Sequence, residues 1–151
     1  MPDLSVAERE AFLAEPRIAA LSVAAGPERG PFTLPIWYQY EPGGEAWVVT
    51  EAASRKARLI EAAGRFSLMV QRTLPTNRYV SVEGPVTRIA PCPDEVLLKI
   101  TERYLPPDQV PGYLKLAETF GEQVAIYLRP QRWLTGDLGP GYLPPGGPAA
   151  P

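Results

Sequence analysis

The residues best suited to chemistry in this chain are Ser54, Arg55 and Lys56, which stand together where a helical pattern begins, "SRKARLIEAAG". A helix start presents backbone N–H groups with no intrahelical acceptor and the positive end of the helix dipole. Cationic side chains are unfavourable there unless an anion joins them. With an anion, the N–H groups, a hydroxyl and two cations make a phosphate cradle. On a wheel of 100° steps from Arg55, Leu59, Ile60 and Ala63 fall at about 40°, 140° and 80°, with Lys56 among them at about 100° and Arg58 opposite at about 300°. A buried ammonium without a partner is costly, so Lys56 must carry its charge out along its stem to the helix end. Ser54 serves as the N-cap in either case. The simpler alternative is an ordinary helix start, with a solvated Arg55 and a snorkelling Lys56.

A second group lies upstream in "FTLPIWYQY". Alternation places Phe32, Leu34, Ile36, Tyr38 and Tyr40 on one face of a strand, with Thr33, Pro35, Trp37 and Gln39 on the other. Pro35 removes a ladder donor, which suits an edge strand or a place where a ligand meets the backbone. Trp37 shares its face and could stack on a ligand or pack in a core or dimer contact. Thr50 closes the strand "AWVVT" and could bond a ligand or begin a loop. Tyr79 in "RYVSVEG" could present a hydroxyl or pack beneath a flat ring.

The composition limits what these residues can do. The chain has 151 residues, 45% of them hydrophobic, enough for one domain with its own core. It has no histidine, which removes the commonest general base, the commonest zinc ligand and every Ser-His-Asp arrangement. Its single cysteine, Cys92, can form neither an internal disulfide nor a multi-cysteine metal site. The carboxylates show no metal-ligand spacing, so no metal is expected. Any difficult chemistry then belongs to an organic cofactor. The net charge of −2 argues against nucleic-acid binding through a general basic field. The charged start "MPDLSVAEREAFLAE" lacks a signal-type apolar segment, and no apolar run approaches a membrane span. These features predict a soluble cytoplasmic protein.

The elements that must position these residues follow from pattern. Ser5 and Glu8 have capping-box spacing, predicting a helix over 6–14. Strands are expected at "RIAALSVAA", "FTLPIWYQY", "AWVVT", "RFSLMVQR" and "RYVSVEGPVTRIA", the last bent at Gly84-Pro85. "EQVAIYLRPQRWLTGD" supplies one long strand or two short ones. Gly64 ends the helix that begins near Ser54. Further helices are expected in "CPDEVLLKITERYL" and "GYLKLAETF". The organisation is one domain over 1–138 and a Pro/Gly-rich tail over 139–151, extended or disordered.

In this order, "TLPIWYQY", "WVVT", "SRKARLI", "RFSLMV" and "RYVSVEGPV" resemble the pyridoxamine-phosphate-oxidase-like split-barrel family, over roughly residues 5 to 136. The strand ending in Thr followed by "SRKA" is the most specific part. The resemblance implies an α+β fold, a six-stranded antiparallel split β-barrel with peripheral helices. It also implies a homodimer with FMN or the deazaflavin F-420 at the subunit interface. Carried over by position, Arg55 and Lys56 would hold the cofactor phosphate, beside Ser54. Val49 and Thr50 would line the ring and ribityl region, and Leu34, Pro35, Ile36 and Trp37 would run along the ring. Tyr79 stands where the oxidases carry a glutamine-like polar contact, and Trp133 in the region where the partner subunit closes the site. The histidine of the oxidases' C-terminal substrate motif is missing, which argues against vitamin B6 oxidation. The chain looks closer to the flavin and deazaflavin reductases, although "SRKA" pulls toward the FMN oxidases. The function implied is hydride transfer between F-420 or FMN and a small organic substrate. The alternative is a non-catalytic flavin or haem carrier.

Overall fold

A computed structural model describes residues 3–141. The order of elements is α1 (Val6–Ala14), β1 (Ala19–Val23), β2 (Phe32–Ile36), β3 (Gln39–Tyr40), β4 (Ala46–Glu51), α2 (Arg55–Ala63), β5 (Arg65–Arg72), β6 (Thr76–Pro91), α3 (Asp94–Tyr104), α4 (Val110–Ala117), β7 (Gln123–Leu128) and β8 (Arg132–Pro140). Local chemistry sets several boundaries. Ser5 caps α1 as its spacing to Glu8 predicts, its hydroxyl accepting the Glu8 N–H at 3.1 Å, but the Glu8 carboxylate takes the Ser5 hydroxyl at 3.1 Å and not the Ser5 N–H of a full box. Gly64 ends α2 with φ at 72°, a conformation that costs glycine nothing.

All strand pairs are antiparallel, in the order β2-β1-β5-β6-β7-β4-β3, with β8 added alongside β6. The two ends of that path, β2 and β3, are joined through Trp37 and Tyr38. The sheet therefore curls until its ends meet at a covalent link instead of a hydrogen-bonded ladder, which leaves a split in the barrel wall. Inward side chains alternate along each strand, and Leu21, Val48, Leu68, Val80, Val82 and Ile126 are fully buried in the common core. Phe12 and Leu13 of α1 and Ile60 of α2 close that core from outside.

Among the described residues there are eight strands, not the six expected. "FTLPIWYQY" divides into β2 and β3 because the chain leaves one ladder at Ile36 and joins the other at Gln39. "EQVAIYLRPQRWLTGD" divides into β7 and β8 at the Arg129–Gln131 step, where β6 also changes partner. At that corner the Arg129 N–H donates to the Pro85 carbonyl at 3.1 Å and the Gln131 N–H to the Glu83 carbonyl at 2.9 Å. Gly84 is required here because a Cβ would collide with the Arg129 carbonyl. β8 runs to Pro140, and the remainder of the expected tail, from 142 onward, lies outside the described residues. Among the described residues no helix is long and apolar enough to cross a membrane.

The split is pinned by two tyrosines. The Tyr38 N–H donates to the Tyr104 hydroxyl at 3.1 Å. That hydroxyl in turn faces the carbonyls of Arg17 at 2.7 Å and Tyr38 at 3.0 Å, either of which can take its proton. Tyr104 thus satisfies backbone groups that no neighbouring strand reaches. The Tyr38 hydroxyl meets the carbonyls of Leu13 at 2.6 Å and Glu15 at 3.0 Å. Burial, reinforced by Tyr104, pushes its pKa up to about 12.

Two outcomes are expected. Tyr104→Phe keeps the ring but strands the Tyr38 N–H, and urea unfolding should show a loss of about 1–3 kcal/mol. Folded Tyr38 keeps its proton to about pH 12, against a usual 10.0, so between those values the folded state binds more protons than the unfolded. Its contribution, about 2–3 kcal/mol, is fully present below about pH 10 and is lost as pH rises toward about 12. In Tyr38→Phe that alkaline slope of the urea midpoint disappears.

Candidate functional site

A cleft of about 620 Å³ opens beside the split in the wall, within the size range of small-molecule sites. One side is the chain that crosses the split, Pro35, Ile36 and Trp37. Its floor is the end of β4, Val49 and Thr50, and at one end stands the start of α2 with Ser54 and Lys56. Pro35 sits in β2, an edge strand that among the described residues pairs with β1 alone, which removes the conflict between proline and a ladder.

At the α2 end, Ser54 Oγ accepts the Ala57 N–H at 3.2 Å, and the Ser54 carbonyl accepts the Arg58 N–H at 3.2 Å. The N–H groups of Arg55 and Lys56 are left without intrahelical acceptors. Thr50, 4% exposed, holds its Oγ1 at 3.1 Å from Ser54 Oγ and so fixes the serine rotamer. Lys56 is half-buried in the cleft wall, with no carboxylate paired to it among the described residues. The start of α2, with the Ser54 hydroxyl and Lys56, stands at one end of a cleft walled by flat apolar surface. That donor set suits a phosphate joined to a flat ring.

The aromatic wall is larger than the sequence suggested. Trp37 stacks on Tyr104 of α3, centroids 4.9 Å apart and planes within 9°. It also leans on Tyr113 of α4 at 5.2 Å, and Tyr113 meets Phe120 edge-on at 6.5 Å. Tyr113 and Phe120 both line the cleft, as do Ile18, Glu51 and Gln123, none of which the sequence singled out. The spacing i, i+4, i+7 of Tyr113, Ala117 and Phe120 was the available signal that α4 turns one face inward. Burial raises the Tyr113 phenol's pKa, so it stays a neutral O–H donor.

No family model and no curated protein matches the chain. Solved structures do. A conserved hypothetical protein from Mycobacterium tuberculosis is 27% identical, with a TM-score of 0.69, covering 95% of this chain and 93% of its own. A protein described as an F420 reductase is 24% identical, with a TM-score of 0.65, over 83% of this chain and 94% of its own. A putative pyridoxamine 5'-phosphate oxidase from Listeria innocua shares 12% identity at a TM-score of 0.57, over 86% and 96%. This is the pyridoxamine-phosphate-oxidase-like split-barrel fold.

Within the split barrel, three of the residues expected at the site stand outside the cleft. Arg55 is exposed and lays its guanidinium over the Phe32 ring at 4.9 Å, a cation–π contact in place of the cleft. Leu34 packs against the core and borders a neighbouring shallow hollow on the outer sheet face. Tyr79, on β6, lies across Gly136 of β8, where a Cβ would sit 2.8 Å from its ring. Trp133 is on β8, with the Arg9 guanidinium 4.5 Å from its ring and Tyr40 edge-on at 6.2 Å.

Proposed function

We propose that this chain is an oxidoreductase that holds a flavin-type cofactor, F-420 or FMN, and serves hydride transfer to a small organic acceptor. The observation that carries the proposal is the opening of Ser54, Lys56 and the start of α2 into the same cleft as Pro35–Trp37. The likeness to an F420 reductase supports F-420, and the phosphate-type donor set serves either cofactor. Such a cofactor, when bound, supplies the hydride chemistry itself. The protein's part is binding and orientation. Lys56 offsets the phosphate charge, and Thr50 holds the Ser54 hydroxyl at the phosphate. Trp37, braced by Tyr104, fixes the plane along which a ring lies.

We propose further that the working unit is a homodimer whose second copy borders the cleft. Pro35, Ala20, Met69, Ser81 and Leu134 stand in one row across β2, β1, β5, β6 and β8 on the outer face. Leu134 is 64% exposed and Ile18, shared between the cleft and the neighbouring hollow, 54%. Small residues flanking Met69 make a flat apolar face suited to a second copy.

Titration of the purified protein with F-420 and with FMN should give a dissociation constant below about 100 µM for one of them, equivalent to about 5.5 kcal/mol. Lys56→Ala should weaken that binding about 10- to 100-fold, the loss of one charge-assisted contact, with the melting temperature unchanged. Failure of both cofactors to bind sinks the proposal. Light scattering should return twice the chain's 16.5 kDa, and a monomer mass would overturn the dimer.

A further inference from the structure

Resting on the reading of the cleft as a flavin-type site, we infer that its acceptor substrate is a flat, conjugated molecule carrying a positive charge. Beyond α4 lies a second cavity of about 410 Å³, with Leu97, Leu114 and Ala117 among its walls. The two cavities adjoin: Gln123 lines both, and a Cβ on Gly121 of the second would sit 3.6 Å from Glu51 Oε2 of the first. Together they form a groove that leads from Lys56, past Trp37, Tyr113 and Phe120, to the space between α3 and α4.

The charges along that groove are uneven. Among the described residues Lys56 is the only cation lining it, and it stands at the phosphate end. Glu51 stands at the junction, and Asp94 and Glu118 line the far part. None of the three carboxylates is ion-paired among the described residues. Nor do three or more His, Cys, Asp or Glu side chains there gather as ligands of a metal ion. The Cys92 thiol, on the wall of the second cavity, has its pKa raised by burial and then by Asp94 and Glu95, as a negative local field requires.

A flat ring gains from stacking beside Tyr113 and Phe120, and a cation gains from both the aromatic faces and the carboxylates. An anionic substrate of the same shape meets the same rings but is repelled beyond Glu51. The groove therefore sorts acceptors by charge at its far end while Lys56 serves the cofactor at the near end.

The test is calorimetric titration of the full chain with two three-ring probes, the cation proflavine and the anion 9-anthracenecarboxylate, with F-420 or FMN saturating and again without either. Proflavine should bind about tenfold tighter or more, a margin worth about 1.4 kcal/mol. In the Glu51→Gln/Glu118→Gln double variant the ratio should fall close to one. Glu28→Gln, in the turn after β1 and lining neither cavity, should keep it. Equal binding of the two probes, no binding of either, a ratio unchanged in the double variant, or an equal fall in Glu28→Gln would each overturn the inference. Cofactor affinity read on the same samples separates the two failures. Cofactor binding without charge preference leaves the flavin reading standing, whereas charge preference without cofactor binding removes that reading and leaves the groove a site for flat cations.

Discussion

The hydroxyl of Tyr104 holds the point on which the rest of the fold depends. A sheet that curls round and meets itself must either close its ladder or leave backbone groups facing no strand. Here the ends meet at Trp37–Tyr38, and closure is made by one phenol that accepts the Tyr38 N–H and offers its proton to the carbonyls of Arg17 and Tyr38. The same phenol ring lies flat on Trp37. Ring and hydroxyl together tie the α3 helix, the loop after α1 and the crossing segment into one unit. Arg103, the preceding residue, extends that unit with hydrogen bonds to the carbonyls of Ala14 at 2.8 Å and Glu15 at 3.1 Å. The cleft exists because the wall is open at this place, and the opening is pinned from outside by these contacts.

Function and fold compete for the same backbone at the start of α2. Ser54 must cap the helix and Thr50 must fix Ser54, yet both line the cleft. The competition is resolved by geometry. The cap uses one acceptor position on Ser54 Oγ for Ala57, which leaves the N–H groups of Arg55 and Lys56 free for an outside acceptor. A hydroxyl set at a helix start therefore stabilises the helix and leaves the next two backbone N–H groups without an intrahelical acceptor.

Local rules made much of this legible. The Ser5 cap, the Gly64 stop and the placing of Lys56 beside the apolar face of α2 all follow from spacing within one turn or two. The strand pattern also gave the alternation that buries Ile36, Tyr38 and Tyr40. Non-local geometry stayed hidden. Alternation continues unbroken through Trp37, so nothing in it reveals that the chain changes ladders there, and the strand count came out low. Arg55 turned outward because Phe32, a whole hairpin earlier, offers it a ring. Tyr79 faces Gly136 because of a strand register some 60 residues apart, which no local pattern encodes. The rings of Tyr113 and Phe120 entered the cleft through the docking of a helix whose own sequence shows only that it has an inner face.

The two helices inserted between β6 and β7 carry unequal burdens. α3 cannot shift without loosening the barrel, because Tyr104 and Arg103 are fastened to its seam. α4 makes its principal contacts with α3 rather than with the sheet, yet it contributes Tyr113 and brings Phe120 and Glu118 to the groove. Divergence in what lines the groove can thus accumulate on α4 while the barrel and the start of α2 are left undisturbed. A lineage built on this chain would be expected to keep its seam and vary its roof.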